Sequence, residues 1–188
     1  GINTRDIESK RIQVAGLIVR EHCVYPSHGL STTTLTEYLS AQGIPAISGV
    51  DTRSIARRIR NHGVMMGILS QDEPEKLVEQ LKNVPQYNDL DLVRTVSTDK
   101  HYYWGESCNE NVEPPNRIVV SDCGLKLNIL RILASKGCEV MVLPSTASAE
   151  DILALRPSGI LWSPGPGDPA LLDDAVKTAR KLIGRIPI

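Results

Sequence analysis

"RIVVSDCGLKLNILRILASKGCEVMVLP", residues 117–144, decides the architecture of the second half of the chain. "RIVVSD" (117–122) is a β-branched run of strand length. "LKLNILRILASKG" then places Leu127, Leu130 and Ile132–Leu133 at near-helical spacing, with Gly137 positioned to stop the helix. "CEVMVLP" (138–144) is a second apolar strand. The alternation continues with "SAEDILALRP", where Ser148 or Thr146 can cap a short helix before Pro157 ends it. "GILWS" (159–163) is a third strand and "ALLDDAVKTARKLIG" (170–184) a third helix, and "IPI" (186–188) reads as the start of a fourth strand. Strands apolar on both faces, alternating with helices, specify a parallel sheet covered on both sides. The expectation is a doubly wound α/β domain, carried here in part.

The first half mixes its elements differently. "RIQVAGLIVR" (11–20), "IPAIS" (44–48) and "VMMGILS" (64–70) read as strands, and "TTTLTEYLSAQG" (32–43) as a helix with a capping box from Thr34 to Glu37. "DTRSIARRIRNHG" (51–63) is an amphipathic helix capped by Asp51 or Thr52; its apolar line is Ile55, Ala56 and Ile59, and Gly63 ends it. "PEKLVEQLKNV" (74–84) is another helix. These residues describe a smaller α+β unit. The expected organisation is therefore a first domain over 1–95, an ordered connector over 96–116 that ends in a double Pro, and the α/β domain over 117–188.

Composition excludes several functions. The 188 residues carry 21 Lys plus Arg against 22 Asp plus Glu, so charge gives no reason to expect nucleic acid or an anionic membrane as partner. No apolar run approaches the roughly 20 residues of a membrane span. Cys23, Cys108, Cys123 and Cys138 form no C-x-x-C pair, and His22, His28, His62 and His101 are scattered. No metal site is expected, and the thiols suit a reduced, cytoplasmic protein. "GINTRDIESKRIQ" (1–13) has no signal-peptide pattern and no initiating Met, which suggests a piece of a longer chain.

The chemistry-bearing stretch is "SPGPGDP", residues 163–169, between the third strand and third helix. Ligands of doubly wound sheets bind beyond the carboxyl ends of strands, where this loop lies. Gly165 and Gly167 admit close backbone approach, while Pro164, Pro166 and Pro169 stiffen the loop. Preset N–H groups suit an oxygen that becomes negative during reaction. Asp168 in the same turn would repel a phosphate, so a neutral or zwitterionic polar ligand fits better. A rigid connector with no ligand is the plainer alternative.

"SPGPGDP" resembles the glycine loop of class I (triad-type) glutamine amidotransferases. "DCGLKLNILRILASKGCEVMVLP" and "LTEYLSAQGIPAISGVDTRSIARRIRNHGVMMGIL", with the lead-in "GINTRDIES", resemble the small chains of glutamine-dependent carbamoyl phosphate synthetase across nearly the whole length. The resemblance implies a glutaminase subunit in which a Cys thiolate attacks the glutamine amide, helped by a His and an acid. Ammonia then passes to a large synthetase subunit, or domain of a fused polypeptide, that uses bicarbonate with ATP and Mg. No cofactor is expected in this chain, and the product serves pyrimidine and arginine biosynthesis. The resemblance implies Gly165 as an oxyanion-hole donor, Gly165 and Gly167 as glutamine-contacting positions, and Asp168 as a loop-fixing neighbour. The nucleophilic Cys, His and acid are expected after Ile188, so residues 1–188 alone should be inactive. Many relatives have Asn at the position of Pro164, which places one loop hydrogen bond in question. Cys123 reads as a buried, inert thiol. Arg53, Arg57, Arg58 and Arg60 read as a solvated helix face or as contacts to the large subunit; His22 and His28 as structural or surface groups; Lys126 and Asn128 as turn-holding or merely exposed. Two alternatives stay open: the glutaminase subunit of another amidotransferase such as anthranilate synthase, and a non-catalytic scaffold.

Overall fold

The computed structural model describes residues 1–105 and 116–188. Cys108 and most of the C-terminal half of the expected connector lie outside the described residues. Two compact units divide the chain, Gly1–Asp89 and Leu90–Ile188.

In the first unit, β1 (Leu17–Ile18) pairs in parallel with β2 (Ala46–Ile47), and α1 (Leu35–Ser40) lies between them in the chain. The capping box is formed: Thr34 Oγ1 accepts the Glu37 N–H at 3.1 Å, and the Glu37 carboxylate accepts the Thr34 N–H at 2.9 Å. α2 (Thr52–His62) is capped by Asp51, whose carboxylate accepts the Ser54 N–H, and Gly63 terminates it at φ 80°. α3 (Pro74–Lys82) opens with its Pro, where no N–H is needed. The expected strand over 64–70 is absent. An isolated extended segment needs a hydrogen-bonding neighbour, and Val64, Met65 and Ile68 instead stand exposed with Gly67 among them.

The second unit begins earlier than the sequence reading placed it. α4 (Leu92–Val96) buries Val93, the Thr98 N–H donates to the Asp122 carboxylate at 2.9 Å, and β3 (Tyr102–Trp104) joins the main sheet. Part of the expected 96–116 connector is thus an edge strand of the α/β unit. β4 (Asn116–Asp122), α5 (Leu127–Ser135), β5 (Cys138–Pro144), α6 (Ala149–Ala154), β6 (Gly159–Trp162) and α7 (Asp173–Leu182) follow. The sheet order is β3-β5-β4-β6, with β3 antiparallel to β5 and the other pairs parallel.

Strand alternation divides the core into two layers. Val119, Met141, Leu143 and Ile160 face α6 and α7, meeting Ile152 and Leu182. Val120, Val140 and Val142 face the other way and meet Leu125 and Leu130 of the α5 side. Helices cover both faces, the doubly wound arrangement that the apolar strands require. Residues 186–188 form no strand among the described residues. Pro187 has no N–H to offer a ladder, and the segment meets β6 through one backbone bond, Ile160 N–H to Pro187 O at 2.9 Å.

Candidate functional site

Two loops meet beyond the carboxyl ends of β4 and β6. The first is the Asp122–Leu125 turn. The buried Asp122 carboxylate accepts the N–H groups of Gly124 at 3.0 Å, Leu125 at 2.8 Å and Thr98 at 2.9 Å. One side chain therefore fixes the turn and ties it to the segment leading into β3. Hydrogen bonds to an ionised acceptor are among the stronger ones, so this acid organises its surroundings.

The second is the 163–169 loop. Ser163 continues β6, its N–H bonding Ser121 O at 3.0 Å. Its hydroxyl accepts the Cys123 N–H at 2.9 Å and donates to Pro164 O at 3.1 Å. Gly165 lies flat on the Cys123 carbonyl: a Cβ there would sit 2.9 Å from the Cys123 carbonyl carbon and closer still to its oxygen. Any side chain at 165 must displace backbone. Gly167 has φ +92°, where a Cβ is strained although it would meet only ordinary contacts, the nearest being Leu92 Cβ at 3.6 Å. Asp168 accepts the Ala170 N–H at 2.8 Å and caps a short 3₁₀ turn over Pro169–Leu171, so it holds the loop's exit.

The outer surface of the loop is available. Gly165 is exposed, and among the described residues its N–H has no hydrogen-bond partner. An apolar hollow of about 350 Å³ adjoins the loop, walled by Leu172, Ala175, Val176 and Ala179 as well as by Cys123 and the prolines. Its walls carry no charged side chain. They can enclose a ligand's methylenes but cannot alone hold its charged ends.

Cys123 is 4% exposed. Burial pushes its thiol up from the ordinary range; the Ser121 hydroxyl opposes this weakly and the Asp122 charge adds to it. A buried thiol kept protonated is a poor nucleophile. Cys23 is exposed, and His22 and His28 are occupied locally, by Thr36 Oγ1 at 3.2 Å and by the Leu30 N–H at 3.2 Å. Arg53, Arg57, Arg58 and Arg60 are all exposed on α2. Lys126 and Asn128 are exposed at the start of α5. Among the described residues no group of His, Cys, Asp and Glu is placed to hold a metal ion, and no helix is long and apolar enough to cross a membrane.

The glycines are legible in the sequence, and the groups that hold them are not. Ser163, Asp122 and the Cys123 carbonyl are the supports, brought together across 40 residues by the β4–β6 pairing. The only available signal was positional: both loops follow strands of one parallel sheet.

Comparison with known proteins agrees with this geometry. Residues 1–69 match the family model described as carbamoyl-phosphate synthase small chain, CPSase domain, and residues 119–188 match glutamine amidotransferase class-I. A carbamoyl phosphate synthase small chain of Syntrophotalea carbinolica is 41% identical over 198 residues, covering 100% of this chain and 53% of the relative. One from Methanopyrus kandleri is 41% identical over 187 residues, covering 96% and 50%. A chloroplastic one from Oryza sativa is 39% identical over 198 residues, covering 100% and 44%. The chain spans about half the length of the curated relatives it matches. With both halves matched in order and the glycine loop set as described, the chain belongs to the carbamoyl phosphate synthase small chain family.

Proposed function

We propose that residues 163–169 form one wall of a glutaminase site, and that the full-length protein hydrolyses glutamine to supply ammonia for carbamoyl phosphate synthesis. One observation carries the reading: an exposed Gly165 amide, without a partner among the described residues, on a loop stiffened by three prolines beyond the carboxyl end of a parallel strand. When a thiolate attacks the glutamine side-chain amide, its carbonyl oxygen becomes negative. A donor already aimed at that oxygen stabilises the charge without reorganising. Ammonia leaves, and water hydrolyses the glutamyl thioester. The family resemblance assigns the nucleophile, its His and its acid to positions after residue 188. Cys123, the described thiol nearest the loop, is buried with its thiol pushed up by burial, which suits an inert side chain. The ammonia goes to a large synthetase subunit or domain that uses bicarbonate, ATP and Mg. No cofactor is assigned to this chain, and the setting is cytoplasmic, in pyrimidine and arginine biosynthesis. The match of residues 1–69 favours this reading over an anthranilate synthase glutaminase.

Gly167→Ala in the full-length protein, assembled with its large subunit, tests the reading. The new methyl has room, with Leu92 Cβ at 3.6 Å, but φ +92° strains it and shifts the loop. Glutamine-dependent synthesis should fall roughly tenfold to a hundredfold, because small misplacements are costly at reacting groups. Synthesis from ammonium salts should persist. Equal loss of both would make the loop a structural connector, and an unaltered protein that never hydrolyses glutamine would be a scaffold.

A further inference from the structure

We infer that Ser163 is a positioning residue of the glutaminase site, its hydroxyl setting the direction of the Gly165 N–H through the intervening peptide. The inference rests on the functional reading above and adds a residue to it.

Ser163 is 6% exposed, and its backbone is pinned to β4 through Ser121 O. A hydroxyl has one proton to donate. Here it accepts the Cys123 N–H and gives its own proton to Pro164 O. That is the one hydrogen bond Pro164 O receives among the described residues.

The Pro164–Gly165 peptide is trans, so its C=O and N–H point in opposite directions. Holding the carbonyl inward on Ser163 therefore turns the Gly165 N–H the other way, where no group among the described residues bonds it. The competing state is a flipped peptide, which Gly at 165 makes accessible. In that state the Pro164 oxygen would face the site and oppose a developing negative charge. The Ser163 hydroxyl is the group that holds the Pro164 carbonyl directly, and the close approach of Gly165 to the Cys123 carbonyl narrows the room in which the peptide can turn. Pro164 fixes its own φ and Pro166 narrows the conformations of Gly165, and the Ser163 hydroxyl anchors the carbonyl end of the peptide between them.

The step affected is the formation of the tetrahedral adduct, in which the thiolate sulfur bonds to the glutamine amide carbon and the carbonyl π electrons move onto oxygen. Ground-state glutamine gains little from the donor, so Ser163 should act on kcat rather than KM.

The experiment uses the full-length protein with its large subunit. Ser163→Ala should lower glutamine-dependent kcat by roughly tenfold to a hundredfold, somewhat less than complete loss of an oxyanion donor. KM for glutamine should change less than about threefold, since uniform binding is untouched. Ammonium-dependent synthesis should be retained, and Ser163→Thr, which keeps the hydroxyl, should recover most of the rate. A Ser163→Ala protein with lower thermal stability but unchanged kcat would overturn the inference, as would a Thr variant no better than Ala. Should the Ala variant fail to fold, Ser163→Cys keeps the size while weakening the donor, and retained kcat there would also overturn it. The unaltered protein run in parallel separates the two levels: absence of any glutamine hydrolysis in it overturns the functional reading itself.

Discussion

Residues 1–89 and 90–188 are built from similar kinds of element, yet only one of them has a deep interior. In the first unit Leu39 is the one buried hydrophobic residue among those described, at 8% exposure. In the second, Val119, Val120, Leu130, Val142 and Leu182 are wholly excluded from solvent. The difference does not come from helix signals. α2 is capped at both ends and amphipathic, but Ile55 and Ile59 on its apolar line remain 37% and 43% exposed. Within residues 1–89 no sheet is broad enough to cover it: β1 and β2 are two residues each, against seven each in β4 and β5. Local signals suffice to make an element. A core needs a surface broad enough to be covered.

The largest effect expected from this contrast is in side-chain truncation. Leu130→Ala should destabilise the second unit by about 2–5 kcal/mol, whereas Ile59→Ala should cost under about 1 kcal/mol. Both tryptophans, Trp104 and Trp162, lie in the second unit, so their fluorescence in a denaturant titration follows it alone. Similar losses for the two substitutions would break the comparison.

Backbone crowding should sharpen it next. Gly165→Ala pushes a methyl into the Cys123 carbonyl and should cost about 1–3 kcal/mol. Gly67→Ala in the first unit meets open space and should stay within about 0.5 kcal/mol. The same titration, with circular dichroism for the first unit, measures both. It also means that substituting Gly165 mixes steric damage with loss of a donor, and so is a poorer probe of the site than Ser163.

Helix caps offer an internal control. Thr34→Ala in the first unit and Ser148→Ala in the second each remove one capping box, at about 1 kcal/mol apiece. Hydrogen exchange should show the loss at the Glu37 and Asp151 amides alike. Any difference in how far it spreads then reports the packing behind each helix.

The smallest effect concerns acid. Hydrogen bonds from the Thr34 backbone, then from the Thr34 and Thr33 hydroxyls, hold the Glu37 carboxyl below its ordinary range. The Ser148 hydroxyl, then its backbone, does the same for Asp151. A carboxyl depressed in the folded state contributes stability above its unfolded pKa, about 4, and loses it as pH falls through the lower folded value. Both caps should therefore be intact at pH 6 and weaken below about pH 4. Amide exchange over α1 and α6 across that range checks the sign, and protection that rises on acidification would contradict it.

Much of this was legible beforehand where a residue acts on its neighbours. The Thr34–Glu37 box, the Asp51 cap and the β4–α5–β5 unit follow from local spacing. Of Ser148 and Thr146, the structure selects Ser148, whose hydroxyl accepts the Asp151 N–H at 3.1 Å. The misses are non-local. Residues 64–70 have strand-like side chains but no neighbouring strand, and Tyr102–Trp104 looked like connector because its partner, β5, comes 34 residues later. At the site, the glycines announced themselves by their spacing, while Ser163 carries no signal until Cys123 is known to lie beside it.

The strand order β3-β5-β4-β6 also imposes a timetable on synthesis. β4 is the first made of the three parallel strands, and its partners on both sides come later in the chain. The 22 residues from the end of β4 to the end of β5 take roughly 1–4 s to emerge at ribosomal speeds of about 5–20 residues per second. Helix α5 can form in microseconds within that interval, but it can shield only one face of β4. Both hydrogen-bonding edges of β4 stay open for seconds, and Tyr102–Trp104 waits even longer for β5. Between emergence of Asp122 and of Pro144 the nascent chain therefore carries an apolar strand with no partner on either edge.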